Sequence, residues 1–149
     1  MTSEAFRVVS ERRAMIRAEA TALGIDDAYI RSFVREFYGR VREDAELGPI
    51  FERTIGDHWE AHFRRIDDFW ASVAFNAGRY SGEPVAVHKR LEGVKPHHFQ
   101  TWLGIFRQTL DDTAPSDGAI DWLMERANRI ARSLEIAMFG LKLDPPPTR

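Results

Sequence analysis

The chain has 149 residues, of which 44% are hydrophobic and 30% charged, and its formal net charge is −2. A chain of this length is expected to form one main domain that buries about 70% of its unfolded surface, enough for a core and one enclosed pocket. The near-neutral charge provides no basic face for nucleic acid, and the lack of cysteine excludes disulfides, thiolate zinc sites and cysteine nucleophiles.

The N-terminal residues do not have the pattern of a targeting or membrane segment. Charges are scattered through residues 1–20, and no apolar core of the signal-peptide type is present. No apolar run approaches the roughly 18 residues that a membrane span requires. We therefore expect a cytoplasmic protein without a membrane segment.

Residues 1–25 predict a helical N-terminal extension. They are rich in Ala, Glu and Arg, their apolar positions are sparse, and Gly24 is a typical helix stop. The main domain is expected over residues 26–143. Residues 144–149 are expected to form a disordered tail, because the run of prolines from Pro145 cannot continue a helix.

The strongest helical pattern begins at Asp26 or Asp27, either of which can cap a helix. Its apolar residues follow the i, i+3, i+4, i+7 spacing of a single buried face: Ile30, Phe33, Val34, Phe37, Tyr38 and Val41. Gly48 and Pro49 are predicted to end this helix and to turn the chain.

Asp57 and Glu60 form a capping-box pattern, which predicts the start of a further helix. The buried stripe of this helix is mainly aromatic and includes one imidazole: Trp59, His62, Phe63, Ile66, Phe69, Trp70, Val73 and Ala74. The helix is predicted to end at Ala77 and Gly78.

The helical pattern breaks over residues 80–91, YSGEPVAVHKRL. Gly82 and Pro84 interrupt this segment, and it carries a single imidazole, His88. An irregular segment held between two regular helices is a place where a fold can put a ligand-bearing residue.

Two more helices are predicted after this segment. Pro96 is well placed to start the first, whose apolar stripe consists of Phe99, Trp102, Leu103, Phe106 and Leu110. A turn-rich loop is expected over residues 111–118, and the last helix is expected from about Asp117 to Gly140. No stretch shows strand-type alternation, so the predicted fold class is all-α.

Four side chains with polar groups lie on or beside these apolar faces: Tyr38, His62, His88 and Trp102. Each of them taken singly is explained as a core residue. Together, on three helices and one broken segment, they can enclose a flat apolar cofactor such as haem, which needs an axial ligand, often His, in a pocket that excludes water. Hydrogen-bond donors on the other face of haem would stabilise a bound diatomic ligand.

A zinc site is the competing interpretation of the histidines. His58 and His62 are four residues apart on one helix, so both can face one metal, but no acid or second histidine pair is evident on a partner helix. His97 and His98 are adjacent and should diverge by about 100° around a helix, so they are not expected to share a metal.

The motifs as a set resemble the group III truncated haemoglobins. The matching segments are FVREFYGRVREDAELGPIF (33–51), DHWEAHFRRIDDFW (57–70), YSGEPVAVHKRL (80–91) and FQTWLGIF (99–106). Their ordered combination covers about residues 26–140, and the glycine pairs of groups I and II are absent. The resemblance implies a shortened bacterial-type globin, folded as a two-over-two helical sandwich.

The resemblance also implies a haem b site with named roles. His88 would be the proximal axial ligand to iron, and Tyr38, His62 and Trp102 would be the distal polar residues facing a bound diatomic gas. Arg65 is similar to the basic residue that reaches a haem propionate. The apolar wall on the porphyrin would consist of Phe37, Phe51, Ile66 and Phe69.

Three functions are open from the sequence. The first is reversible binding of oxygen, nitric oxide or carbon monoxide at a histidine-ligated iron. The second is a haem enzyme, either a nitric oxide dioxygenase or peroxidase-like with His62 as acid–base, which would need an external reductase because no reductase domain is present. The third is a helical module without a cofactor, in which His88 is structural.

Overall fold

Six helices make up the part of the chain that the computed structural model describes, residues 3–75 and 91–140. They are α1 (Ser3–Ala22), α2 (Asp27–Glu43), α3 (Leu47–Ile55), α4 (Trp59–Phe75), α5 (Pro96–Thr113) and α6 (Asp117–Phe139). These ranges contain no strand, and the all-α prediction is confirmed. No helix within them combines the length and apolar character needed to cross a membrane. The predicted helix end at residues 77–78, the ligand candidate His88 and the tail 144–149 lie outside the described residues.

Side-chain caps define where two of the helices begin. The carboxylate of Asp26 accepts the backbone N–H of Tyr29 at 2.7 Å, which starts α2 as the sequence predicts. The hydroxyl of Ser116 accepts the N–H of Ala119 at 3.2 Å and starts α6. The same hydroxyl donates to the carbonyl of Leu23 at 2.8 Å, which fastens the start of α6 to the end of α1.

The N-terminal helix α1 ends next to the predicted stop at Gly24. This glycine has a φ of +86°, in the left-handed region, and a Cβ there would lie 2.9 Å from Cβ of Pro115. Most of α1 is exposed, but Ala20 is buried, and the guanidinium of Arg17 donates to the carbonyl of Phe75 at 3.3 Å. These contacts hold α1 against α4.

The turn between α2 and α3 comes earlier than predicted. The carboxylate of Asp44, the residue after α2, accepts the N–H groups of Glu46 and Leu47, each at 2.9 Å. Gly48 and Pro49 therefore lie in the first turn of α3, and the prediction that they end a helix is wrong. Proline is tolerated there because N–H groups of the first turn have no acceptor within the helix.

Two other predicted boundaries shift by a few residues. α4 begins at Trp59, two residues after the predicted cap at Asp57. α5 continues to Thr113, through residues that the sequence assigns to a loop. Ion pairs explain this longer helix, because Asp111 pairs with Arg107 at 3.0 Å and Asp112 pairs with Arg40 of α2 at 2.9 Å.

The helices pack as two pairs. α2 packs against α4, α5 packs against α6, and α2 also contacts α5, so that the pairs lie on each other. This is the two-over-two sandwich that the resemblance implies. The short helix α3 is attached to α2 and closes one side of the assembly.

Aromatic rings fill the space where α2, α4 and α5 meet. The ring of Phe106 is fully buried, and its centroid lies 4.8 Å from Phe33, 5.1 Å from Phe37, 5.3 Å from Trp70 and 5.2 Å from Trp102. Aromatic contacts of this kind contribute about 0.5–1.5 kcal/mol each beyond the burial of area. They fix α2 relative to α5, the helices that supply two of the predicted polar site residues.

We expect Gly48→Ala to lower the free energy of unfolding by about 1–3 kcal/mol. Gly48 is buried, and an added Cβ would lie 2.5 Å from the carbonyl oxygen of Arg42, so the α2–α3 turn must move. Urea unfolding followed by circular dichroism measures the change.

The matched control is Gly39→Ala in α2, where an added Cβ meets nothing within 4 Å. This substitution should raise the free energy of unfolding by about 0.5–1 kcal/mol, because alanine favours helix over glycine. Equal effects of the two substitutions would show that the close approach at Gly48 does not constrain the turn.

Candidate functional site

A pocket opens among α2 to α6 and the turn that precedes α5. It contains about 1110 Å³ of space between atoms, a figure that includes open solvent at its mouth. Its polar and charged lining residues are Tyr38, His62, Arg65, His98 and Trp102. The rest of the lining is apolar and comes mainly from α3 to α6: Leu47, Ile50, Phe51, Ile66, Phe69, Trp70, Leu91, Val94, Phe99, Ile130, Ala131, Leu134 and Met138.

Most of the sequence-predicted site residues meet in this pocket. Phe37 does not line it and instead lies behind the wall, with its ring centroid 4.8 Å from Tyr38 and 5.2 Å from Trp102. His88 lies outside the described residues. The predicted residues that do line the pocket are Tyr38, Phe51, His62, Arg65, Ile66, Phe69 and Trp102.

Tyr38 and Trp102 form a hydrogen-bonded pair in the pocket wall. The indole N–H of Trp102 donates to the Tyr38 hydroxyl oxygen. Burial raises the pKa of Tyr38 to about 12, and the bond from Trp102 lowers it by a smaller amount. The hydroxyl is therefore protonated at neutral pH. Because its oxygen already accepts from Trp102, its own proton is available for donation into the pocket.

His62 approaches the same hydroxyl-bearing ring from α4. Its ring centroid lies 5.8 Å from that of Tyr38 and 5.6 Å from that of Trp59, and both contacts are edge-to-face. The side chain is half-buried and lines the pocket. α2, α4 and α5 thus each bring at least one polar side chain to a mainly apolar space.

The face of α4 that lines the pocket follows directly from helical spacing. His62, Ile66 and Phe69 are separated by four and three residues, so they share one face, and Arg65 lies at its edge. Arg65 is exposed, which places a cation beside the pocket where it meets solvent. An anionic group of a bound molecule would be stabilised at that edge.

His98 lines the pocket although the sequence pattern did not indicate it. The residue is only 5% exposed, and its Nδ1 accepts the backbone N–H of Lys95 at 2.9 Å. Pro96 is the first residue of α5, so His98 is the third, where a side chain can reach back to the amide before the helix. The sequence places His98 two residues after the helix-starting Pro96, and this spacing could have indicated its capping role.

The adjacent histidines His97 and His98 do not diverge as predicted. Their ring centroids are 4.2 Å apart, and their Nε2 atoms lie 3.3 and 3.5 Å from Oε1 of Glu46. Within residues 3–75 and 91–140 these three side chains form the one cluster with metal-ligand spacing, and His58 with His62 forms none. The expected angle describes Cα–Cβ directions, whereas both rings bend toward the Glu46 carboxylate.

The hydrogen bond at His98 argues against a metal in this cluster. Because Nδ1 accepts an N–H, the neutral imidazole carries its proton on Nε2, the atom that faces Glu46. Coordination through Nε2 requires that proton to leave and the Lys95 bond to break. A histidine that binds a metal through one ring nitrogen usually donates a hydrogen bond, and does not accept one, through the other nitrogen.

Comparison with known proteins places these features in one family. The model of the family described as bacterial-like globin matches residues 21–136. The group 3 truncated hemoglobin ctb of Campylobacter jejuni is 30% identical over 118 residues, which cover 77% of this chain and 92% of that protein. The crystal structure of the group III truncated hemoglobin from Campylobacter jejuni superimposes with a TM-score of 0.73 at 30% identity, with the same coverage of 77% and 92%.

We expect the Tyr38 hydroxyl to make folding stability depend on alkaline pH. Its pKa is raised from 10.0 in the unfolded chain to about 12 in the fold, so the unfolded chain releases the proton first. This group leaves stability unchanged below about pH 10 and lowers it as the pH rises toward about 12, by up to about 3 kcal/mol. Urea unfolding of the protein without added cofactor, at a series of alkaline pH values, measures the fall.

Tyr38→Phe should remove this part of the alkaline fall. The variant also loses the hydrogen bond from Trp102, so its free energy of unfolding is expected to be lower at neutral pH. The two proteins are therefore compared by how steeply the free energy of unfolding falls with pH. Parallel curves for the wild type and Tyr38→Phe above about pH 10 would contradict the assignment of the raised pKa.

Proposed function

The chain belongs to the bacterial-like globin family and to its group III truncated haemoglobins, and on that premise we propose that it binds haem b in the described pocket and holds a diatomic gas there reversibly. The family implies a haem cofactor and a diatomic ligand. The observation that carries the finer proposal is the meeting of Tyr38, His62 and Trp102 in one apolar pocket.

The residues of the pocket fit haem in character. Haem presents a flat apolar macrocycle with carboxylates at one edge, and a site for it needs aliphatic and aromatic walls with few polar groups. The apolar lining from α3 to α6 supports the macrocycle. Arg65, exposed at the pocket edge, provides a cation for a propionate.

The axial ligand is assigned to His88 from its motif, YSGEPVAVHKRL. His88 itself lies outside the described residues. Leu91, three residues later, lines the pocket, and so does Val94, which supports the assignment. Haem would supply an iron atom that His88 would hold and that could bind a diatomic gas.

The polar side chains of the pocket hold a gas ligand by hydrogen bonding. Tyr38 donates its hydroxyl proton, because its raised pKa keeps it neutral and its oxygen is occupied by the Trp102 indole. Trp102 orients that hydroxyl, and His62 offers a second polar group. The rings of Phe37 and Phe51, at 4.8 and 5.8 Å from Tyr38, hold its ring in place.

Haem binding is tested by adding haem to the purified protein, which should produce a Soret absorption band. His88→Ala should abolish stable incorporation, because the iron loses its ligand from the protein. His58→Ala is the matched control, since His58 is exposed and does not line the pocket. Unchanged incorporation in His88→Ala would overturn the axial assignment, and the absence of a Soret band in the wild type would overturn haem binding.

Tyr38→Phe should accelerate dissociation of oxygen from the haem-loaded protein by about tenfold, because one buried hydrogen bond worth about 1.4 kcal/mol is lost. Stopped-flow displacement of oxygen by carbon monoxide measures the rate. Tyr29→Phe is the control, because the Tyr29 hydroxyl contacts Thr113 at 3.0 Å and does not line the pocket. Equal rates in wild type and Tyr38→Phe would show that Tyr38 does not stabilise the gas.

A further inference from the structure

The start of α5 and the start of α3 are joined beside the pocket by one carboxylate. Glu46 immediately precedes α3, and its Oε1 lies 3.3 Å from Nε2 of His97 and 3.5 Å from Nε2 of His98. Glu46 and His97 are largely exposed, whereas His98 is buried and lines the pocket. A set of titratable groups therefore runs from solvent to the pocket wall.

The buried member of this set makes a hydrogen bond to the backbone that requires an unprotonated Nδ1. His98 Nδ1 accepts the backbone N–H of Lys95 at 2.9 Å, and the backbone N–H of His98 donates to the Lys95 carbonyl at 3.0 Å. The imidazole thus caps α5, and it does so only while Nδ1 has a free electron pair. With a proton on Nδ1, the Nδ1–H of His98 and the backbone N–H of Lys95 would point at each other, and the hydrogen bond of the cap would be lost.

Glu46 opposes this preference by favouring positive charge on the imidazoles. Hydrogen bonding from His97 is the largest cause that lowers the pKa of Glu46, and His98 contributes in the same direction. The carboxylate is therefore charged over the range in which histidines titrate. When the cap at Lys95 breaks, the protonated ring of His98 still has a charged partner.

We propose that His98 is a positioning residue for the pocket, and that its protonation releases the start of α5. Phe99 follows His98 directly and Trp102 follows four residues later, and both line the pocket. Loss of the hydrogen bond between Lys95 and His98 loosens the first turns of α5, which carry Phe99 and Trp102. The effect on a bound cofactor rests on the proposed haem function, whereas the effect on α5 does not.

Other titratable and charged groups surround His98, and the experiment must distinguish their protonation from that of His98. Glu46 and His97 face it from the surface side. The part of α6 that lines the pocket is apolar. Across the pocket lie the remaining titratable or charged lining groups, Tyr38, His62 and Arg65. His62 and His97 are the other imidazoles among these groups, so their effects must be distinguished from that of His98.

His98→Gln removes the titratable group at this position while keeping its hydrogen-bonding groups, so it tests the effect of protonating His98. The glutamine amide oxygen can accept the Lys95 N–H and its NH₂ can face Glu46, but it does not titrate. His97→Gln is the matched control, because it removes the exposed histidine that shares the same carboxylate.

Hydrogen exchange at the Lys95 amide, followed by NMR in the full chain without haem and corrected for intrinsic exchange, provides the first measurement. Between about pH 8 and about pH 5, protection in the wild type should fall about fivefold, the effect of losing one cap. His97→Gln should show the same fall, and His98→Gln should show none. An equal fall in His98→Gln, or its loss in His97→Gln alone, would overturn the proposal.

The rate of haem transfer to an excess of a haem-free acceptor globin provides the second measurement. The ratio of the rates at about pH 5 and about pH 8 should be smaller in His98→Gln than in the wild type or His97→Gln. An identical ratio in His98→Gln would overturn the coupling to the pocket. If the wild type binds no haem, the proposed function fails while the exchange experiment still decides the role of His98.

Glu46→Gln provides an independent test if His98→Gln does not fold. Its side chain is 60% exposed, so the substitution spares the core. Removing the carboxylate disfavours the protonated imidazole, and the fall in Lys95 protection should therefore move to lower pH. A fall at the wild-type pH would show that Glu46 does not act on His98 and would overturn the proposal.

Discussion

The packing of aromatic rings around Phe106 is the contact on which the rest of this structure depends. The ring brings together Phe33 and Phe37 of α2, Trp70 of α4 and Trp102 of α5, and it is fully buried. Aromatic rings are stiff and bury large areas, so a cluster of them sets distances between helices narrowly. The hydrogen bond from the Trp102 indole to the neighbouring α2 hydroxyl exists because this cluster fixes α2 against α5.

The pocket beside this cluster combines an apolar wall with a few oriented donors. Burial raises the pKa of Tyr38 to about 12, so the same desolvation that makes the site apolar keeps this hydroxyl a neutral donor. Such a donor is stronger in a medium of low polarity than in water. In the proposed function, three side chains would select a small polar ligand, and the remaining wall would retain a large apolar cofactor.

The side of the pocket near α3 has a different character, because polar contacts organise it. Asp44 fixes the α2–α3 turn through two backbone N–H groups, and Glu46 joins that turn to the histidines of α5. Polar contacts at an exposed rim respond to pH, whereas the aromatic cluster does not. One wall of the site is thus set mainly by aromatic packing, and another mainly by polar contacts.

Periodicity in the sequence by itself determined most of the helices and their buried faces, because which residues share a face depends only on local geometry. The segment around His88 was found where that periodicity breaks. Periodicity identified Tyr38, His62 and Trp102 as inward-facing, together with Ile66 and Phe69, whereas Arg65 was indicated only by the resemblance. Tertiary structure alone decided which faces meet, placing Phe37 behind the pocket wall and bringing Glu46 to His97 and His98 across about 50 residues of chain. The position of Pro49 inside a helix, by contrast, follows from a local contact, in which the Asp44 carboxylate accepts the N–H of Leu47 three residues later. Contacts between distant segments depend on packing of the whole fold, and no local spacing encodes them.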